Sequence, residues 1–262
     1  MLSIRKICKR HQCPNDLREL AVLLLALHLA PAQTPGVPQV LEFEVASVRP
    51  AIPDDDHSID SDGGRFFAHN LTLKRLVALG WDVDESLVRG GPNWISSDVY
   101  DINAKIPTDT ARVKIPEMIQ SLLAKRFHLI THREPSTISG YALGVAKNGP
   151  KLQISKLAEN GAETSAASGH IAAKNITMRR FAIRLSRVQD IGRVVVDQTG
   201  LTGRFDFELA WTPDASAGDN EPIRDRTSIF TALQEQLGLK LAPGKVPVLT
   251  VIVDRAQKPE AN

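Results

Sequence analysis

The stretch GRFFAHNLTLKRL, residues 64–76, has a close counterpart later in the chain, GHIAAKNITMRRF, residues 169–181. At the offset of 105 residues that separates them, five pairs are identical: Gly64/Gly169, Ala68/Ala173, Asn70/Asn175, Thr72/Thr177 and Arg75/Arg180. The same offset pairs Tyr100-Asp101-Ile102 with Phe205-Asp206-Phe207. A register kept over so many positions indicates duplication of one folding unit.

The residues around the two copies carry strand and helix patterns in the same order. Thr72 and Thr177 are expected to cap helices with one apolar face, and Ser228 and Gly238 to begin and end a later helix. Each copy is expected to close with two strands of its own, Phe127–His132 with Tyr141–Ala146 and Leu239–Leu241 with Val248–Val253. We therefore predict an α+β fold of two tandem homologous lobes, each β-β-α-β-α-β-β, with helices packed on a mostly antiparallel sheet.

The N-terminus predicts export. A basic leader precedes the apolar run Leu20–Ala30, and Ala30-Pro31-Ala32 has the small residues that signal peptidase recognises. The run is about half of the roughly 20 residues that span a bilayer. We predict a signal peptide at 1–32, a flexible leader at 33–40, lobe 1 at 41–148 and lobe 2 at 149–259. The exported chain, periplasmic or extracellular, would keep no membrane span; the alternative is an uncleaved anchor helix.

Cysteine content and charge exclude several classes of function. Cys8 and Cys13 both lie in the predicted signal peptide, so the mature chain would have no disulfide, thiolate metal site or cysteine nucleophile. Without residues 1–32 the chain has 27 basic and 28 acidic residues, and the basic residues are scattered. Nucleic-acid binding is therefore not predicted.

The histidines and the acidic loop do not predict a metal site. His128 and His132 lie on a predicted strand, where four residues span roughly 13 Å. The loop Asp54–His57, with Asp60 and Asp62, lacks the glycine and glutamate of an EF-hand, and an acidic surface loop is favoured over a calcium site.

Three aspartates are the best candidates for catalysis, but each has a structural interpretation. Asp101 and Asp206 lie on the polar face of alternating strands, and Asp197 opens a turn. Trp94 and Trp211 could stack on sugar rings, although packing is favoured. We therefore assign no catalytic, cofactor-binding or metal-binding residue.

Six segments carry a family resemblance: FEVASVRP (43–50), GGPNW (90–94), SLLAKRF (121–127), YALGVAKNGPKL (141–152), VVDQTGLTGRFDFELAW (195–211) and FTALQEQLGLKL (230–241). They closely resemble the soil-associated family of exported bacterial proteins, a group of unknown function expanded in acidobacteria. The resemblance spans roughly residues 41–259. Similar domains occur attached to membrane-bound metallopeptidases of the antirepressor type, which implies a sensing or binding role in the envelope.

The sequence thus favours an exported, non-enzymatic binding protein of the cell envelope. Its partner would be an envelope protein, a peptide or a glycan, bound between the lobes or along an edge strand. The alternative is a secreted hydrolase that uses Asp or His residues of the inter-lobe cleft. We expect function to reside where the copies differ, in the acidic loop 54–62 and in the segments 158–169 and 212–226, which are interpreted as mobile insertions.

Overall fold

The computed structural model describes residues 41–61, 64–108, 110–157, 163–214 and 227–260. The predicted signal peptide and leader lie outside these residues. The helices are α1 (Leu73–Trp81), α2 (Ile115–Arg126), α3 (Met178–Ser186) and α4 (Ile229–Leu237). The strands are β1 (Val45–Pro50), β2 (Ser58–Asp60), β3 (Arg65–Thr72), β4 (Val88–Gly90), β5 (Val99–Lys105), β6 (Ile130–Val145), β7 (Gln153–Ile154), β8 (Glu163–Ala167), β9 (His170–Ile176), β10 (Val195–Asp197), β11 (Phe205–Ala210) and β12 (Leu239–Arg255). Within the described ranges, no helix has both the length and the apolar character needed to cross a membrane.

Two of the three sheets share one plan. The first sheet has the strand order β1-β5-β3-β2 and the third sheet β7-β11-β9-β8. Each strand of the third sheet lies at the 105-residue offset from its counterpart in the first, and the pairing register also agrees: Leu71 faces Tyr100 as Ile176 faces Phe205. Both sheets are antiparallel throughout. The predicted α+β class with mostly antiparallel pairing is confirmed.

The conserved spacing of the repeat has a local cause at the junction between strand and helix. Asn70 and Asn175 adopt the left-handed conformation, with φ of 55° and 58°, which asparagine tolerates better than most residues. Their backbone N–H groups donate to the carboxylates of Asp101 and Asp206, at 3.0 and 2.7 Å. Two residues after each asparagine, Thr72 and Thr177 cap α1 and α3, as predicted.

The central sheet, with the order β10-β6-β12-β4, joins the two parts of the sequence. β6 and β12 pair with each other antiparallel over nearly their whole lengths. β10 lies parallel to β6, and β4 lies parallel to β12. The prediction that each copy closes with its own pair of strands is therefore wrong, because each predicted pair is one continuous strand whose partner comes from the other copy.

The turns that lead into β6 and β12 are also alike. His128 follows α2 with φ of 45°, and Gly238 follows α4 with φ of 64°. Both residues reverse the chain in the left-handed conformation, which glycine adopts without strain. The prediction that Gly238 ends its helix is confirmed, and Ser228 caps that helix as expected.

The hydrophobic core has two clusters, and each contains side chains from both copies. The first cluster is built around β3, β5, α1 and α2, and it also contains four valines of β12: Val246, Val248, Val251 and Val253. The second is built around β9, β11, α3 and α4, and it includes Leu143 of β6. Neither cluster is complete without a strand from the other copy.

The pairing of β10 with β6 can be tested through two glycines of β6. A Cβ atom on Gly140 would lie 2.5 Å from the carbonyl oxygen of Val194, whereas one on Gly144 would meet only the end of the Lys240 side chain at 3.8 Å. Gly140→Ala is expected to lower the free energy of unfolding by about 1–3 kcal/mol, the usual cost of overpacking. Gly144→Ala should leave it nearly unchanged. Urea denaturation measures both; equal effects would contradict the pairing.

The hydrogen bond from the Asn175 backbone N–H to Asp206, at the strand-to-helix junction, can also be tested by mutation. Asp206→Ala should lower the free energy of unfolding by about 1–3 kcal/mol, because the N–H of buried Asn175 would lose its acceptor. Asp206→Asn keeps an acceptor oxygen and should cost much less. Glu208→Ala, at an exposed position of the same strand, is the control. Urea denaturation in which Asp206→Ala matches the wild type would refute the structural role of Asp206.

Candidate functional site

The aspartates considered for catalysis bind the chain's own backbone. Besides its bond to Asn70, Asp101 contacts the ring of His69, with Nδ1 and Oδ1 2.9 Å apart. Asp197 accepts from the backbone N–H and the hydroxyl of Thr199, at 2.9 and 2.7 Å, and so forms a turn. Carboxylates that hold a bulge or a turn in this way are positioned for structure.

The two histidines of the segment FHLITH, residues 127–132, lie in different structural elements. His128 lies in the turn after α2, while His132 lies in β6 between Asp254 of β12 and Glu134. Hydrogen bonds to Asp254 and then Glu134 raise the pKa of His132 above its usual value. In the described ranges, no three His, Cys, Asp or Glu side chains are grouped so that they could hold a metal ion.

The loops in which function was expected are partly regular. The side-chain amide of Asn70 donates to the carbonyl oxygens of Asp54 and Asp56, at 2.7 and 3.0 Å, and so holds the acidic loop to the first sheet. Residues 163–167 form β8, an edge strand, so the prediction of a mobile insertion over 158–169 is wrong for that part. Residues 158–162 and 215–226 lie outside the described residues.

A cavity of about 320 Å³ lies between α1 and α3 and is called the helix cleft here. Its apolar walls come from both copies of the repeat: Phe66, Ala78, Leu79 and Ile119 from the first, and Ile176 and Ile183 from the second. The size is within the range of small-molecule sites, which are concave, mostly apolar and furnished with a few polar groups.

Arginine dominates the polar lining of the helix cleft. Among the described residues, four arginines line it, Arg180, Arg184, Arg187 and Arg204, together with one carboxylate, that of Asp82. Arg204 donates to the backbone carbonyl of Asn175 at 3.0 Å. Arg180 lies 3.6 Å from Asp82, which also binds Arg179 at 3.4 Å. Arg184 and Arg187 have no hydrogen-bond or ion-pair partner for their guanidinium groups among the residues that the structure describes.

Arg184 and Arg187 lie close enough to Arg75 for their positive charges to repel its charge. Burial, followed by the charge of Arg75, lowers the pKa of Arg184. Desolvation of the guanidinium, followed by the charge of Arg75, also lowers the pKa of Arg187, although much of the Arg187 side chain remains exposed. Arginine still stays protonated at neutral pH. The result is a cluster of three like charges, the arginine cluster: Arg75, Arg184 and Arg187.

All three arginines of the cluster line a second cavity of about 480 Å³, and two of them, Arg184 and Arg187, also line the helix cleft. Polar and aromatic groups share its walls, among them Trp211, whose indole N–H donates to Asp190 at 2.7 Å. Trp94, by contrast, packs against Tyr100 and Phe127. Trp94 therefore has the packing role that was favoured from sequence, while Trp211 borders a cavity.

The arginine cluster arises where the two copies differ. At the offset of 105 residues, Arg75 corresponds to Arg180 and Asp82 corresponds to Arg187. Asp82 and Arg180 form an ion pair at 3.6 Å, whereas Arg187 and Arg75 carry like charges. This difference lies outside the stretches 64–76 and 169–181, in which the two copies are most alike.

Comparison with known proteins gives a family and no function. No curated protein and no solved structure was found to match the chain. The model of one family, described as proteins of unknown function (DUF3738), matches residues 74–256. The match runs from α1 to β12 and includes the arginine cluster and most of the lining of the helix cleft, although Phe66 lies before it. The chain belongs to this DUF3738 family.

Proposed function

We propose that the chain is an exported, non-enzymatic binding protein of the cell envelope, whose ligand occupies the helix cleft. The observation that carries the proposal is the cleft itself, a mostly apolar cavity of about 320 Å³ that is lined from both copies. Its lining includes Arg184 and Arg187, whose guanidinium groups have no hydrogen-bond or ion-pair partner among the described residues. The N-terminal sequence supports export, since a basic leader precedes an apolar run and a small-residue cleavage pattern.

We further propose that the chain arose by duplication and comprises two homologous lobes. The shared strand order, the shared register and the Asn–Asp–Thr junction in both copies support this. The central sheet then makes the lobes interdependent, because β6 and β12 each complete the core of the other lobe. A ligand site between two such lobes is fixed in shape by the sheet that joins them.

The alternative of a secreted hydrolase has one supporting feature, the pairing of His69 with Asp101 and Asp54. Such a histidine could act as a general base oriented by a carboxylate. However, Asp101 already accepts from the Asn70 backbone, and neither His69 nor Asp101 lines the helix cleft. Binding is therefore the better-supported function.

The third prediction tests occupancy of the helix cleft with Nile red, a neutral apolar dye whose fluorescence rises in apolar surroundings. The wild type should give a saturable increase in fluorescence. Ile183→Trp adds a large side chain to the wall of the cleft and should weaken the dye's affinity about tenfold or more, which corresponds to roughly 1.4 kcal/mol. Ile154→Trp, at a position that is 77% exposed and does not line the cleft, is the matched control.

Two results would contradict the proposal. The first is the absence of saturable binding to the wild type, and the second is equal affinity in the wild type and Ile183→Trp. Thermal unfolding of each variant checks that the substitution leaves the fold intact. The protein used should be the exported chain, purified without detergent so that the cleft stays free.

A further inference from the structure

We infer that the ligand of the helix cleft is an amphiphilic anion, with a carboxylate or phosphate group on the arginine cluster and an apolar tail in the cleft. This inference rests on the proposed function and adds the chemical class of the ligand. It is carried by three features of the described residues: an excess of positive charge, a buried donor without an acceptor, and apolar walls beside them.

The first feature is the charge that the protein leaves uncompensated. Arg75 has one carboxylate partner, Glu85, at 3.6 Å. Arg184 and Arg187 have none among the described residues, although Asp84 and Glu85 are near enough to attract Arg187. Repulsion from Arg75 influences Arg187 more strongly than the attraction of either carboxylate. Withdrawing like charges from water costs free energy unless an opposite charge joins them.

The second feature is the Nε atom of Arg75, which is buried and has no hydrogen-bond partner within the part of the chain that the structure describes. A buried N–H without an acceptor is uncommon in folded proteins and costs free energy. The side chain as a whole is 28% exposed, so its outer guanidinium atoms can still be reached from the second cavity. Guanidinium groups bind carboxylate and phosphate through paired N–H donors, and such charge-assisted bonds are about twice as strong as neutral ones.

The two copies differ in the charge that lies beside the corresponding arginines. Around Arg180 and Arg179, the protein supplies Asp82 as the counter-charge, and that site needs no ligand. At the corresponding position beside Arg75 it supplies Arg187. An anion bound there would do for Arg75 and Arg187 what the Asp82 carboxylate does for Arg179 and Arg180.

The third feature explains why the anion should carry an apolar tail. Arg184 and Arg187 line both cavities, so a head group bound to them would lie beside the helix cleft. Phe66, Leu79, Ile119 and Ile183 also line the cleft. An inorganic anion would leave these walls hydrated, whereas an alkyl chain would remove them from water at about 25 cal/mol per Å².

The fourth prediction uses four probes that share a ten-carbon chain: decyl phosphate, decanoate, decanol and decyltrimethylammonium. Each is used at a concentration below that at which it forms micelles. Calorimetric titration of the exported chain should show saturable binding of the two anions, at least tenfold tighter than that of decanol, and no binding of the cation. The preference between decyl phosphate and decanoate tells a phosphate head group, as in phospholipids, from a fatty acid. Inorganic phosphate alone should bind far more weakly than decyl phosphate.

Charge-removing variants locate the binding. Arg184→Gln with Arg187→Gln should weaken decyl phosphate binding about tenfold or more, and should reduce the preference for decyl phosphate over decanol. Arg193→Gln is the matched control, because Arg193 is exposed in the same lobe and lines neither cavity. Arg187→Gln alone serves as the milder variant if the double variant folds poorly.

The outcomes separate this inference from the proposed function. If decanol and decyl phosphate bind with equal affinity, and Ile183→Trp still weakens Nile red binding, the inference that the ligand is an anion is overturned. The helix cleft then remains the binding site. If the wild type binds neither Nile red nor any of the four alkyl probes, both the inference and the proposed function are overturned. Tight binding of decyl phosphate that is unchanged in the arginine variants would also overturn the inference, because the anion would then bind elsewhere.

Discussion

The antiparallel ladder between β6 and β12 is the interaction on which the rest of the structure depends. It places four valines of β12 in the first core cluster and Leu143 of β6 in the second. Burying one valine contributes about 1.5–3 kcal/mol. The four together are therefore comparable to the whole free energy of unfolding of a typical domain, about 5–15 kcal/mol.

The arginine cluster lies where the two similar stretches of the sequence differ. The strand-to-helix junction has the same asparagine, threonine and aspartate in both stretches, and each makes a hydrogen bond there. The end of the helix has no such constraint, and there Asp82 and Arg187 differ. A side chain of opposite charge at this position replaces an internal ion pair with an uncompensated positive charge. An external anion can neutralise that charge.

Local patterns in the sequence predicted the helices, their threonine caps and the α+β class, because caps and apolar faces depend on residues within one or two turns. The central sheet could not be predicted in this way. Pro135 and Gly140 interrupt β6 with residues typical of turns, and the partner of β6 lies about a hundred residues away. The arginine cluster was missed for a related reason: on a single helix Arg184 and Arg187 resemble a solvated face, and only the placement of α1 beside them reveals the repulsion from Arg75.

Arg187→Asp tests whether Arg187 is the charge left for a ligand to neutralise, because it places a carboxylate where Asp82 stands in the first copy. The measurement is the free energy of unfolding at low salt, with and without decyl phosphate. Without the ligand, the variant should be more stable than the wild type by about 0.2–1 kcal/mol, the range of an exposed ion pair. Decyl phosphate should no longer stabilise the variant. If the variant is less stable than the wild type and is still stabilised by decyl phosphate, Arg187 is not the charge that a ligand neutralises.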